Sequence, residues 1–356
     1  MKLALLFVFV VPYAIAWNAR ASELNLELRG ESDRTKVNEA GLASGLRNSH
    51  NFRIQTLRLD LTNKIDRLDY RLRVRFNRNL TDVGSKDSMG PFVDFAWIRH
   101  SFAPSWELTA GKVLSDLAAR EGFTLGSEMY YTSAAFADAS TKEASLFVTG
   151  AKLSWKPENH EVHLIVANNT AKGTTDGSLS GTQEQTRLFS GVQGRGKYLS
   201  DGNLQLVLSY HTASNAENSS PKDRRDVFWS GNVFYKFGPW RIDFDKHYFQ
   251  YTNRSVDKVT DDLSSDVLNV LYEWDERLLI KFKGEASYAK TATSADNFSS
   301  TRTAGHGTAL EYRPLGTSDF RYHVAWTSKS SITDGGSPVV EEHLILGFRL
   351  LHDLLK

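Results

Sequence analysis

The chain of 356 residues contains no cysteine, only 8 prolines and 3 methionines. Without cysteine it lacks the disulfide framework on which a small secreted domain depends. Scarce proline leaves no Pro-rich linker to divide the chain, and no composition break marks a second domain. An excess of one charge is missing too, since 43 basic residues face 42 acidic ones. A nearly neutral chain lacks the basic footprint of a nucleic-acid binder. Beyond the first residues no apolar run is long enough for a transmembrane helix, and no useful stretch has helical periodicity.

The amino terminus reads as a secretory leader over residues 1–21. Lys2 supplies the positive start, Leu3 to Val11 the apolar stretch, and Ala14-Ile15-Ala16 or Ala19-Arg20-Ala21 a small-residue cleavage site. Pro12 interrupts a run already too short to span a bilayer. Cleavage after Ala21 removes Lys2 and Arg20 and leaves 41 basic against 42 acidic residues over 22–356.

What the chain does have is about sixteen short segments alternating apolar and polar residues. Turns of 2–6 residues and long polar loops join them in succession. Leu24, Leu26 and Leu28 open the first, a polar loop near residues 30–50 follows, and Leu57, Leu59 and Leu61 lead to a turn at Asn63-Lys64. Leu68, Tyr70, Leu72, Val74 and Phe76 show the cleanest period of two. Further turns fall at Pro104-Ser105, Pro157-Glu158-Asn159, Ser200-Asp201-Gly202, Gly238-Pro239, Asp275-Glu276 and Pro314 to Ser318. Short turns at one end, long loops at the other and an even strand number are the pattern of an outer-membrane β-barrel. The expectation is an all-β, transmembrane antiparallel barrel of about 16 strands, with 14 or 18 as alternatives. Its short turns and both termini lie in the periplasm.

The large aromatics give an independent signal. Trp106, Trp155, Trp240, Trp274 and Tyr312 lie beside short turns on the apolar parity, and Phe76, Tyr210, Tyr248, Tyr288 and Trp326 lie beside long loops. Two aromatic rows around an aliphatic band are the girdles of a barrel in lipid. Trp240 and Tyr248 are eight residues apart on one face. That is roughly 26 Å along a strand, which a tilt near 40° projects to about 20 Å, close to the expected band.

If apolar residues meet lipid, those between them line a lumen. On the third strand these are Arg67, Asp69, Arg71, Arg73 and Arg75, with Arg58 and Asp60 on its neighbour. Guanidinium groups stacked roughly 6–7 Å apart stay charged and pair with carboxylates or phosphates, so this wall would draw anions into a pore. Mixed charge continues at Arg241, Asp243, Lys281 and Lys283, the pattern of a hydrated, weakly selective wall. The longest connection, near 114–143, is expected to fold inward. Leu114, Leu117, Phe123, Met129, Tyr130 and Phe136 would pack on the inner wall, with Asp116, Arg120, Glu121 and Glu128 facing the opening.

Other leads are weak. Gly191 to Tyr198 reads GVQGRGKY, the skeleton of a phosphate-binding loop, but Tyr198 stands where Ser or Thr is required and no helix follows. The strand histidines have no metal spacing. No nucleophile–base–orienter grouping suggests an enzyme, and no cofactor is expected.

RLRVRFN (71–77) and VDFAWIRHSFAPSWELTAGKV (93–113) resemble the phosphate-selective porin O/P family over about a sixth of the chain. The resemblance implies a sixteen-stranded passive channel, often a homotrimer, with Arg71, Arg73 and Arg75 lining the route. Two departures stand out: the long loop carries only Arg120 and Lys142 among several acids, and the chain ends Leu354-Leu355-Lys356 without a terminal aromatic. The function expected is a porin of the bacterial outer membrane, admitting small hydrophilic solutes with a modest anion preference. Its partners are outer-membrane lipid and small anions or other hydrophilic solutes, not nucleic acid. Alternatives are a dedicated channel for an acidic oligo- or polysaccharide, or a barrel adhesin or receptor.

Overall fold

The computed structural model describes residues 23–39, 46–77, 92–117, 120–124, 129–141, 147–168, 188–199, 202–214, 225–252, 260–294, 296–315 and 320–355. The leader lies outside them. Sixteen antiparallel strands close into one barrel in which each pairs with its sequence neighbours and the first with the last. They are β1 (Glu23–Glu39), β2 (Leu46–Ile65), β3 (Leu68–Arg75), β4 (Val93–Ala103), β5 (Trp106–Leu114), β6 (Phe147–Trp155), β7 (His160–Asn168) and β8 (Leu188–Tyr198). There follow β9 (Leu204–Ser214), β10 (Arg225–Phe237), β11 (Trp240–Thr252), β12 (Thr260–Glu273), β13 (Leu278–Ala292), β14 (Phe298–Tyr312), β15 (Phe320–Thr333) and β16 (Val339–Asp353). A short helix, α1 (Ala134–Thr141), lies in the long connection after β5. Closure leaves no sheet edge, so the barrel satisfies its own backbone without disulfides.

The outer face is apolar. Leu59, Leu61 and Leu72 on β2 and β3, Leu164 and Val166 on β7, and Leu344 and Leu346 on β16 point away from the lumen; the inward neighbours are polar at Arg58, Asp60 and Arg73 and apolar at Ile165, Ala167 and Ile345. The aromatic rows bound this band. At the short-turn end Trp106 stacks beside Trp155, ring centroids 6.1 Å apart, and Trp240 beside Tyr272 at 4.4 Å. At the other end Tyr210 meets Trp229 at 4.7 Å. An apolar exterior around a charged interior inverts the soluble pattern and is stable only where lipid surrounds the wall. Leu268, mid-strand on β12, is 41% exposed. Substituting it with arginine is expected to destabilise the barrel by about 2–4 kcal/mol, measured as a lower urea midpoint for unfolding from lipid vesicles; Leu268→Ile serves as the neutral control.

Three details depart from the sequence reading. The polar stretch near 30–50 is not a loop: β1 and β2 continue through it in register from Gly30↔Ile54 to Asn38↔Leu46. Above the apolar band both faces are wet, so the alternation that marks a strand lower down is lost. The first turn falls at Asp66-Arg67 instead of Asn63-Lys64. Ile65 pairs with Leu68, and Asp66 takes a positive φ of 53°, as a two-residue hairpin needs. Finally, the long-loop end also has connections of five residues, 293–297 and 334–338, so loop lengths do not alternate strictly.

Candidate functional site

The connection between β5 and β6 enters the barrel and lies against its inner wall. Asp116 is fixed by Lys152 of β6 at 3.2 Å and Arg195 of β8 at 3.3 Å, while Gln193 donates to its carbonyl at 2.7 Å. The Leu117 carbonyl accepts from Ser209 of β9 at 3.3 Å and Ser230 of β10 at 2.8 Å. Glu121 pairs with Lys283 of β13 at 2.6 Å and accepts from Ser133. Farther on, Tyr131 donates to Glu285 at 2.5 Å, as does the Ala134 amide at 2.6 Å. Tyr130 donates to Glu311 of β14 at 2.8 Å and lies 4.5 Å from the Arg29 guanidinium, which itself donates to the Met129 carbonyl. The polar anchors thus run from β6 round to β1, and β2 and β3 are left facing the segment.

Electrostatics keep these anchors in their bonding forms. Burial pushes the Glu121 carboxyl up, but Lys283, His247 and the Ser133 hydrogen bond outweigh it and hold the group below the usual carboxylate range. Burial and the neighbouring Glu285 push the Tyr131 phenol far up, so it remains a donor. Burial and Glu311 do the same for Tyr130.

Apolar packing supplies the rest of the docking energy. Leu117 and Ala135 join Val113, Ile165, Ala167, Phe189, Ala213, Phe228, Phe249 and Leu263 in a buried cluster inside the barrel. Phe189, Phe228 and Phe249 have no exposed surface, and each buried phenylalanine contributes roughly 1.5–3 kcal/mol. Farther round, the wall is cut back: Gly305 and Gly307 of β14 lie beneath Tyr131, and a Cβ at Gly305 would overlap its hydroxyl.

On the facing wall the predicted arginines are placed by register. Arg71 and Arg73 both grip Asp60, at 2.6 and 2.5 Å. Arg58 and Arg75 share Asp94 at 3.4 and 3.3 Å, and Arg58 also reaches Glu27 at 3.3 Å. Phe95 lies under Arg71 and Arg73, with guanidinium-to-ring distances of 4.6 and 4.9 Å. Asp69 binds Arg99 at 2.8 Å. Alternation through Val93, Phe95 and Trp97 would put Phe95 toward lipid and Asp94 inward; the structure turns both inward, at the register shift between Arg73 and Val74.

Several predicted residues need correction. Arg67 lies in the exposed turn, not on the lumen wall, because the hairpin closes three residues later than expected. Asp116 and Glu121 do not face the opening; they are 2% and 3% exposed and consumed in anchoring. Arg120 does remain partly open, its guanidinium 3.8 Å from the Phe234 ring centre and 3.7 Å from Asp243. Leu117 and Phe136 are buried, and Leu114 ends β5. Glu128 and the Phe123 side chain lie outside the described residues. Arg241 pairs with Glu273 at 2.6 Å and Lys281 with Glu311 at 2.5 Å. With Arg120, Asp243 and Lys283 they line a cavity of about 190 Å³ between the loop and β10–β14.

No family model and no curated sequence matches the chain. Solved structures share its fold at low identity. The outer membrane channel DcaP of Acinetobacter baumannii aligns with a TM-score of 0.64 at 12% identity, over 94% of this chain and 99% of that one. An anion-selective porin from Comamonas acidovorans aligns at 0.61 and 13%, over 93% and 100%. The outer membrane protein OmpT of Vibrio cholerae, in a trimer form, aligns at 0.60 and 10%, over 94% and 100%.

Proposed function

We propose that the protein is a diffusion channel of the bacterial outer membrane, passing small hydrophilic solutes with a modest preference for anions. The observation that carries this reading is the division of the lumen into an anchored loop and a facing arginine wall. Arg58, Arg71, Arg73 and Arg75 meet only Glu27, Asp60 and Asp94 in the ion pairs described above, so the wall keeps a small positive excess. Focused through a narrow polar passage, such an excess favours anion entry. Ion pairing makes the preference modest, because each carboxylate screens two guanidinium groups. Glu128 in the loop and the leader over 1–21 keep the roles expected from the sequence. The anion-selective and trimeric neighbours agree with an anion preference and a homotrimer.

Single-channel recording in planar bilayers under a salt gradient tests the reading. The wild type is expected to conduct, with a reversal potential on the anion side. The triple variant Arg71→Ala, Arg73→Ala, Arg75→Ala strips Asp60 of both its guanidinium partners and takes Arg75 from Asp94, which keeps Arg58, so its reversal potential should cross zero to the cation side. A barrel without conductance would refute the channel. A cation-selective wild type, unchanged by the triple substitution, would refute the arginine wall.

A further inference from the structure

Beneath the loop, on β10 and β11, lies a cluster of oxygen atoms short of positive charge. Asp243 and Asp245 stand two residues apart on the inward face of β11, and Asn232 of β10 is directly opposite Asp245 in the register. Asp245 has no exposed surface and Asn232 is 3% exposed. One Asp245 carboxylate oxygen accepts the Arg120 backbone N–H at 3.3 Å. Its second oxygen, Oδ2, is buried without a hydrogen-bond partner, and so is the Asn232 amide oxygen. The Asn232 amide nitrogen is turned away to the Phe244 carbonyl at 3.3 Å, which leaves the oxygen as the free end of that side chain. Asp243 accepts from Asn269 at 2.9 Å and, with Asp245, lines the cavity under the loop.

The surrounding charges do not balance. Asp243, Asp245 and Glu121 are three carboxylates; Lys283 is 2.6 Å from Glu121 and Arg120 is 3.7 Å from Asp243. The nearby Arg241 is engaged with Glu273, and Lys281 shares Glu311 with Arg321. Glu285 is held by neutral donors from Tyr131, Ala134, Ser265 and Ser287. His247 flanks Glu121 at 3.7 Å. With Glu285 counted, six carboxylates (Asp243, Asp245, Glu121, Glu285, Glu311 and Glu273) meet five cations (Arg120, Lys283, Lys281, Arg241 and Arg321), and a buried carboxylate oxygen without a partner is costly.

We propose that Asp243, Asp245 and the Asn232 amide oxygen form a binding site for a hard divalent cation, Ca²⁺, between the inward loop and the barrel wall. The donors are all oxygens, as Ca²⁺ and not a softer metal requires. Among the described residues no three His, Cys, Asp or Glu side chains converge; the protein ligands here are two carboxylates and an amide. Water in the adjoining cavity completes a coordination that Ca²⁺ tolerates in flexible geometry. Because Asp245 also holds the Arg120 N–H, the cation fastens the stem of the loop.

The test is calcium titration of the refolded, chelator-stripped barrel in detergent by isothermal calorimetry. It reads binding without transport, so its failure leaves the channel reading untouched. The wild type is expected to bind one Ca²⁺. Asp245→Asn, which keeps shape and removes charge, should weaken binding by about tenfold or more, and Asn232→Ala should weaken it as well. Asp275→Asn, in an exposed turn, should bind as the wild type does. Far-UV circular dichroism establishes that each variant is folded. Absence of saturable binding at millimolar Ca²⁺, as a protonated Asp245 would give, overturns the proposal; equal affinity in Asp245→Asn does too.

Discussion

Replacing Glu285 by alanine is expected to raise single-channel conductance severalfold and make the open current noisy. This carboxylate is 7% exposed and is the anchor on which the return arm of the inward loop hangs. It takes the Tyr131 hydroxyl on one oxygen and the Ala134 amide on the other. Hydrogen bonds to a charged acceptor contribute about 1.5–3 kcal/mol each. Water in a wet lumen recovers part of that loss, so the net weakening is about 2–3 kcal/mol, or roughly a hundredfold in the docked-to-undocked ratio. The substitution leaves the interstrand ladder intact, so the barrel should still fold. Glu285→Gln, which keeps an acceptor at the same place, should fall between wild type and alanine. Conductance recordings with limited proteolysis of 115–146 decide the matter. An alanine variant with wild-type conductance and an equally resistant loop would show that the apolar cluster alone holds the segment.

That competition between polar anchors and apolar packing also explains what was legible in the sequence. The parity of Asp69, Arg71, Arg73 and Arg75 is plain because β3 alternates cleanly with leucine, tyrosine and valine. The aromatic rows are plain because tryptophan and tyrosine settle where lipid meets water. The dock of the loop was also written in the chain, in a form easily misread. Leu164-Ile165-Val166-Ala167 and Val227-Phe228-Trp229 are apolar on both parities, where a water-filled barrel should be polar inside. Apolar residues at inward positions mean that something dry lies there, and Leu117 and Ala135 are what lies there. Other features depended on register, which one sequence does not reveal. Whether Asp116 faces a passage or is consumed by Lys152 and Arg195 depends on which strands end beside it. The inward turn of Phe95 beside Asp94 needs a bulge, and the hairpin at Asp66-Arg67 was hidden because Asn63-Lys64 is an equally good turn sequence. Charged residues are therefore read more safely as lumen-facing than as available.

The glycines of β14 give the second large effect. Gly305 sits under the Tyr131 ring, and Gly307 is 3.2 Å, measured from an ideal Cβ, from the Tyr131 Cβ. Nothing in the backbone of β14 demands glycine at Gly305, whose φ is not positive, so its small size serves the loop and not the strand. Gly305→Val is accordingly expected to leave the ladder with β13 and β15 formed, or slightly strengthened, since valine favours strands. Its side chain would occupy the place of the phenol and expel it from Glu285. Conductance should rise as in Glu285→Ala, while the thermal unfolding of the barrel measured by circular dichroism stays close to wild type. The two substitutions share the Tyr131–Glu285 contact, and Glu285→Ala also removes the Ala134 bond, so they should add only in part: the double variant should conduct about as well as Glu285→Ala alone, and the shortfall from additivity measures the coupling. A Gly305→Val barrel with wild-type conductance would mean that Tyr131 finds another seat, and the cradle would lose its role in setting the aperture. A barrel that fails to fold would instead place the need for glycine in the strand. Gly305→Ala then separates the cases, because its single methyl group meets only the phenol end of the tyrosine and should still raise conductance, by less than valine does.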